Sequence, residues 1–244
     1  MADRPTLLLV HGFPLDSRMW ASQVEALSAS MEVLAPDLDG HGANASTIAR
    51  SSVDAIARSL AARLDAAGVD AVHLGGFSMG GYVALAFLRI FPQRVLSLSL
   101  VDTRANADND AGKQGRDAMI ARVHAEGAGV AAEAMLPKMF TDAADGAVRE
   151  TARQWMLAQP AASLAADLAA MRDRPDSTSM LAGIAVPTLV IVGDQDPITP
   201  PADSQAMSDA IPGSRLVTIT GAAHLSTVEQ PEQVNQALGE FLSG

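Results

Sequence analysis

The stretch from Val72 to Leu88 restricts this chain more than any other. A largely apolar run, Val72 to Phe77, meets Ser78 and then at once a Gly80-Gly81-Tyr82-Val83-Ala84-Leu85-Ala86 helix start. Such a run reads as a strand buried on both faces. A strand that turns into a helix this abruptly brings its two backbones close together. Glycines at 76 and 80 permit that approach. The sharp turn puts Ser78 in a strained backbone conformation. Its hydroxyl then projects from the end of a sheet, at the positive end of the following helix. Gly76-Phe77-Ser78-Met79-Gly80 therefore fits the Gly-x-Ser-x-Gly pattern of a serine nucleophile, in the strand–turn–helix setting that pattern needs.

The same alternation recurs along the chain. Thr6–Val10 is a second apolar run, ending at His11-Gly12. Ser17 offers an N-cap for a helix bearing Met19, Trp20, Val24 and Leu27. Met31–Pro36 predicts a short strand. Ser51 or Ser52 caps a helix with Val53, Ile56, Leu60 and Leu64 on one face, closed by Gly68. Val95–Val101, Val186–Val192 and Arg215–Ile219 predict three more strands, and Glu232–Leu242 a terminal helix. Strands alternating with helices imply a parallel sheet of about six strands with helices on both faces. Residues 104–182 break this rhythm. They are helical in pattern, without a good strand, and Pro137, Pro160 and Pro175 divide them. The expected organisation is a core of residues 1–103 and 183–244, with a helical cap at 104–182.

Other strand ends carry the partners a serine needs. His11-Gly12-Phe13-Pro14 follows the first strand. The backbone N–H groups of Phe13 and Met79 are candidates for an oxyanion hole, each such donor typically worth ~3 kcal/mol in the transition state. Val190-Ile191-Val192-Gly193-Asp194-Gln195-Asp196 presents a carboxylate after the fifth strand, and Gly221-Ala222-Ala223-His224 a histidine after the sixth. In an open parallel sheet, sites form beyond the carboxyl ends of strands. Ser78, Asp196 and His224 thus share one edge as nucleophile, acid and base. Asp194 and Asp102 are rivals for the acid. His41, His73 and His124 compete with His224 from a turn, a strand and the cap. His11 reads as a brace for its loop.

Composition excludes several classes. There is no cysteine among 244 residues, so neither a disulfide framework nor a catalytic thiol is available. A net charge of −11 without a Lys/Arg cluster argues against nucleic acid and anionic membrane surfaces. The apolar run at Leu7–Val10 is too short for a signal-peptide core. No stretch approaches the ~18 apolar residues of a membrane span, so a cytoplasmic location is expected. No metal-binding constellation and no dinucleotide fingerprint is visible, and no cofactor is expected.

Taken together, His11–Trp20, Gly76–Gly81, Gly193-Asp194-Gln195-Asp196 and Ala223–Pro231 resemble the α/β-hydrolase superfamily. They are most similar to its small carboxylesterases, 3-oxoadipate enol-lactonases and cofactor-free haloperoxidases or perhydrolases. The resemblance covers nearly everything but the cap. It implies Asp196 rather than Asp194 as the acid. It implies a hairpin before the first strand, for which only five residues are present here. Met31–Pro36 then becomes an exposed edge that invites a second chain, and a homodimer is an expectation. The family's arginine turn after the second strand is replaced by Asp39-Gly40-His41-Gly42-Ala43-Asn44. Pro14 resembles members with perhydrolase side activity. Serine at position 78 speaks against a haloalkane dehalogenase.

The cap should roof the pocket, so Met135, Met139, Phe140 and Trp155, with Pro14 and Leu225, are candidate substrate contacts. A modest apolar pocket fits small or medium carboxylic esters, cleaved through an acyl-enzyme. Lactone hydrolysis, a ligand-binding protein with little turnover, and carbon–carbon bond chemistry are the competing readings.

Overall fold

A computed structural model describes residues 4–244. Six parallel strands lie in the order β2-β1-β3-β4-β5-β6. They are β1 (Thr6–Val10), β2 (Glu32–Leu34), β3 (Val72–Phe77), β4 (Val95–Val101), β5 (Thr188–Gly193) and β6 (Arg215–Ile219). Side chains alternate across the sheet as a two-residue period requires. Leu8, Val10, Leu74, Leu98 and Val190 enter one apolar core, while Leu7, Leu9, Phe77, Leu189 and Ile191 enter the other. The first core is completed by α2 (Val53–Ala66), α3 (Met79–Ile90) and α8 (Pro201–Ala210). The second is completed by α1 (Ala21–Leu27) and α10 (Pro231–Ser243). A further short helix, α9 (Ser226–Glu229), precedes α10.

Between β4 and β5 run four helices: α4 (Asp110–Glu126), α5 (Gly129–Met139), α6 (Gly146–Leu157) and α7 (Ala161–Arg172). Of the three prolines expected to divide this segment, Pro160 is the N-cap of α7 and Pro175 follows that helix. Pro137 instead lies inside α5. It forfeits one backbone bond on the exposed side of the helix, where both Pro137 and Glu133 face solvent.

Other boundaries moved for identifiable reasons. The first helical segment opens as a 3-10 turn, Ser17–Trp20, and its cap is Asp16, whose carboxylate accepts the Arg18 N–H. Ser17 instead donates its N–H to Asp37. Ser52 rather than Ser51 caps α2 through the Ala55 N–H. Pro187, which has no N–H, delays the start of β5, although its carbonyl already accepts from Leu98. Strand β2 keeps only three residues before Pro36. No helix among the described residues is long and apolar enough to cross a membrane.

Candidate active site

Ser78 joins β3 to α3 with φ 51° and ψ −114°, a left-handed conformation that L residues rarely adopt. The surroundings leave little alternative. A Cβ on Gly76 would lie 2.2 Å from the Gly80 carbonyl oxygen, and one on Gly80 the same 2.2 Å from that of Val10. The Ser78 N–H bonds the Val101 carbonyl at 2.9 Å. The Ser78 carbonyl accepts the Thr103 hydroxyl at 2.8 Å and the Gly81 N–H at 2.9 Å. The turn is therefore held on both sides by the chain around β4.

His224 follows β6, and its Nε2 lies 2.9 Å from Ser78 Oγ. Its Nδ1 lies 2.8 Å from Asp196 Oδ2. Nδ1–H therefore donates to the carboxylate, leaving Nε2 to accept the serine proton. All three side chains are buried, with Ser78 7% exposed, His224 0% and Asp196 3%. Asp196 is saturated with donors. Its Oδ1 accepts the N–H groups of Ile198 and Thr199, and its Oδ2 also accepts the Thr199 hydroxyl at 2.7 Å. Burial works against its ionisation, but the His224 ring and these hydrogen bonds prevail and hold its pKa below the usual carboxylate value.

The rival carboxylates do other things. Asp194 Oδ1 accepts the N–H groups of Gly221 and Ala222, tying the acid loop to the histidine loop. Asp102 also sits at positive φ, 45°. It accepts the Gly193 N–H at 2.8 Å and the Ser226 hydroxyl at 2.5 Å. Burial and then the negative charge of Asp196 push its pKa well above the carboxylate range.

The rival histidines are also engaged elsewhere. His11 Nε2 accepts the Leu38 N–H at 3.1 Å, so Nδ1–H donates to the Gly12 carbonyl at 3.2 Å. His11 thus spans the loop and the turn after β2. Burial, then the neighbouring His41 ring, lowers its pKa to about 4. His41 pairs with Asp167 on α7, His73 bonds Ser97 across the sheet, and His124 is exposed on α4.

Phe13 and Met79 flank the same edge. Met79 opens α3, and its N–H belongs to the first turn, for which a helix supplies no carbonyl. Phe13 is buried and joined to Pro14 by a cis peptide bond. Of the candidate pocket residues, Met135 lines a cavity that Phe13 also borders. Met139, Phe140 and Leu225 pack instead in the core that holds Phe77. Trp155 is half-buried on α6 with the Arg18 guanidinium over its ring. Pro14 is buried within its loop.

Several functional contacts escaped the sequence. Thr199 stands three residues after Asp196, a spacing at which a hydroxyl and an aspartate bond locally, and that signal was available. Thr103 and Ser226 carried no such signal. Glu229 Oε2 accepts the Ala223 N–H, and its Oε1 accepts the Thr141 N–H. It ties the histidine loop to the segment after α5.

The chain belongs to the α/β-hydrolase fold family, whose model matches residues 5–231, and it is a hydrolase of that fold. It is similar to a thermophilic esterase from Thermogutta terrifontis, solved with malate bound, at 41% identity and a TM-score of 0.96, covering 99% of this chain and 90% of that one. It is 29% identical to 3-oxoadipate enol-lactonase 1 of Acinetobacter baylyi over 98% of this chain and 88% of the relative. It is 34% identical to the dihydrolipoyllysine-residue acetyltransferase component of the acetoin cleaving system of Pseudomonas putida, over 97% of this chain. The chain spans 63% of the length of that component.

Proposed function

We propose that this hydrolase cleaves small to medium carboxylic esters through an acyl-enzyme on Ser78. The observation that carries the reading is the continuous relay from Ser78 Oγ to His224 at 2.9 Å and from His224 to Asp196 at 2.8 Å. Ser78 Oγ attacks the ester carbonyl and its proton passes to His224 Nε2. The N–H groups of Phe13 and Met79 receive the oxyanion. Collapse of the tetrahedral intermediate breaks the bond to the alcohol oxygen, which takes the proton from Nε2. Water then attacks the acyl-enzyme, His224 accepts its proton, and Ser78 is restored as the acid departs. Asp196 keeps the imidazole in the competent tautomer and stabilises its cation. The helices between β4 and β5 act in this reading as the cap, with Met135 on the pocket side.

Lactones are the second reading, supported by the similarity to an enol-lactonase along nearly the whole chain. A lactone uses the same steps, with the alcohol retained on the acyl chain. The test is release of p-nitrophenol from its acetate and butyrate esters. The unaltered protein should show a burst followed by turnover. Ser78→Ala should lose the burst and roughly 10⁶-fold in kcat. Turnover surviving in Ser78→Ala defeats the assignment.

A further inference from the structure

A cavity of about 380 Å³ opens between the loop after β4, helices α4, α5 and α7, and Phe13. Its size suits a small ligand. Its charge does not match the molecule that carries it. The chain has 28 acidic and 17 basic residues, yet this wall presents Arg104, Arg116 and Lys138 against one carboxylate, Asp108. That carboxylate is already engaged twice. It meets Arg116 at 3.0 Å and the buried Arg174 at 2.9 Å. Both arginines draw its pKa down against the effect of burial.

The remaining cations are unequally matched by protein groups. Among the described residues, Lys138 has no carboxylate within ion-pair distance. Arg104 meets the Tyr82 hydroxyl, the Ile198 carbonyl at 3.2 Å and Asp203 at 3.7 Å, yet its buried Nε has no hydrogen-bond partner. Arg104 is largely withdrawn from water and keeps one N–H unpartnered, and the exposed Lys138 adds a positive charge with no carboxylate beside it, so the cavity attracts an anion. The site is also adjacent to the proposed chemistry. Arg104 directly follows Thr103, whose hydroxyl holds the Ser78 carbonyl. Phe13 borders the cavity and supplies the second oxyanion amide in the mechanism above.

Building on the reading of Ser78 as nucleophile, we infer that this cavity is a carboxylate subsite. The substrate is an ester or lactone that bears a free carboxylate. Arg104, Arg116 and Lys138 hold that carboxylate, and a short methylene chain lies along Phe13 and Met135. An arginine fork matches a carboxylate in shape as well as charge.

Monomethyl glutarate and methyl valerate form a matched pair, since both have five-carbon acyl chains and differ at the far end. Their hydrolysis is followed by pH-stat, and the ratio of the two kcat/KM values is the readout. The protein should favour the glutarate hemi-ester, and 0.5 M NaCl should reduce that preference. Lys138→Gln and Arg116→Gln should each reduce the ratio about three- to fivefold, mainly through KM, as partly exposed ion pairs do. Lys113→Gln removes the same charge from an exposed position on α4 outside the cavity, and it should keep the ratio. A wild-type ratio below one, or one ratio shared by all variants, overturns the subsite. Failure of the catalytic reading looks different, because then neither ester is turned over in a Ser78-dependent way. Calorimetric titration of glutarate and valerate into Ser78→Ala reads the subsite without turnover. Glutarate binding no tighter than valerate would again overturn it.

Discussion

Two buried carboxylates share the carboxyl edge of the sheet, and their surroundings drive them in opposite directions. Asp196 is held ionised by four donated hydrogen bonds, one of them from His224, whereas Asp102 is driven toward its protonated form by burial and by Asp196 itself. Only the first can orient and stabilise an imidazolium. Asp196→Asn should therefore lower kcat about 10⁴-fold. Asp102→Asn retains one carbonyl acceptor and should stay within about tenfold of the parent in kcat. Equal losses in steady-state kinetics would reverse the assignment. His11 permits a separate prediction, about stability. Its pKa falls from 6.5 to about 4 on burial, so the folded state holds the neutral ring. That contribution is fully present above pH 6.5 and is lost as pH falls toward 4. A displacement of that size is worth roughly 3 kcal/mol. His41 has the opposite sign: burial lowers its pKa, but Asp167, joined by the Asp39 carbonyl and Asp16, raises it overall. Urea unfolding of the parent and of His11→Gln, at pH 7 and pH 5, separates the two effects. The stability advantage of the parent should shrink at the lower pH, and an advantage that stays constant contradicts the buried neutral ring.

Glu229 shows how the loops around the site depend on one another. It accepts the Ala223 N–H beside the base and both the N–H and the hydroxyl of Thr141 beyond α5. The neighbouring Leu225 N–H bonds the Met139 carbonyl at 2.8 Å. Glu229→Ala releases three donors at once, so it should cost about 2 kcal/mol of stability. It should also lower kcat, because the peptide before His224 loses its anchor. Unchanged kcat in a destabilised protein would restrict Glu229 to a packing role. The strands and the serine turn were readable in the sequence because each rests on local pattern: apolar runs, close-approach glycines, polar loops at strand ends; the preference for Asp196 over Asp194 came from the family resemblance. The sequence did not reveal Glu229 or Ser226, whose partners lie 88 and 124 positions away. Such pairings depend on how the inserted helices settle on the core, and no short-range pattern encodes them. The helical spacing of Met139 and Phe140 favoured the core over a pocket, and they lie in the apolar cluster that holds Phe77 and Leu225.

The helices between β4 and β5 are packed into the body of the molecule. Both apolar cores include their residues: Val123, Val130 and Leu164 join one, and Met139, Ala152 and Met156 join the other. A buried polar seam reinforces the junction. Gln159 donates to Asp16 at 2.7 Å, Ser163 donates to the Gly40 carbonyl at 2.7 Å, and His41 meets Asp167 at 2.9 Å. The His41 and Asp167 side chains are 1% and 2% exposed, so neither can exchange its partner for water. Helices tied down in this way should not melt before the sheet. The two tryptophans allow a direct test, because Trp20 is buried in the core beside Phe77 and Trp155 lies on α6. Trp20→Phe and Trp155→Phe each leave one reporter. In each protein, fluorescence and far-UV ellipticity should follow a single coincident urea transition. Asp167→Ala, which strands His41 in the interior, should lower stability by roughly 3 kcal/mol. That loss should appear at Trp20 as fully as at Trp155. A Trp155 transition at lower urea than the Trp20 transition would mean that the inserted helices unfold on their own, and the seam would then count for little.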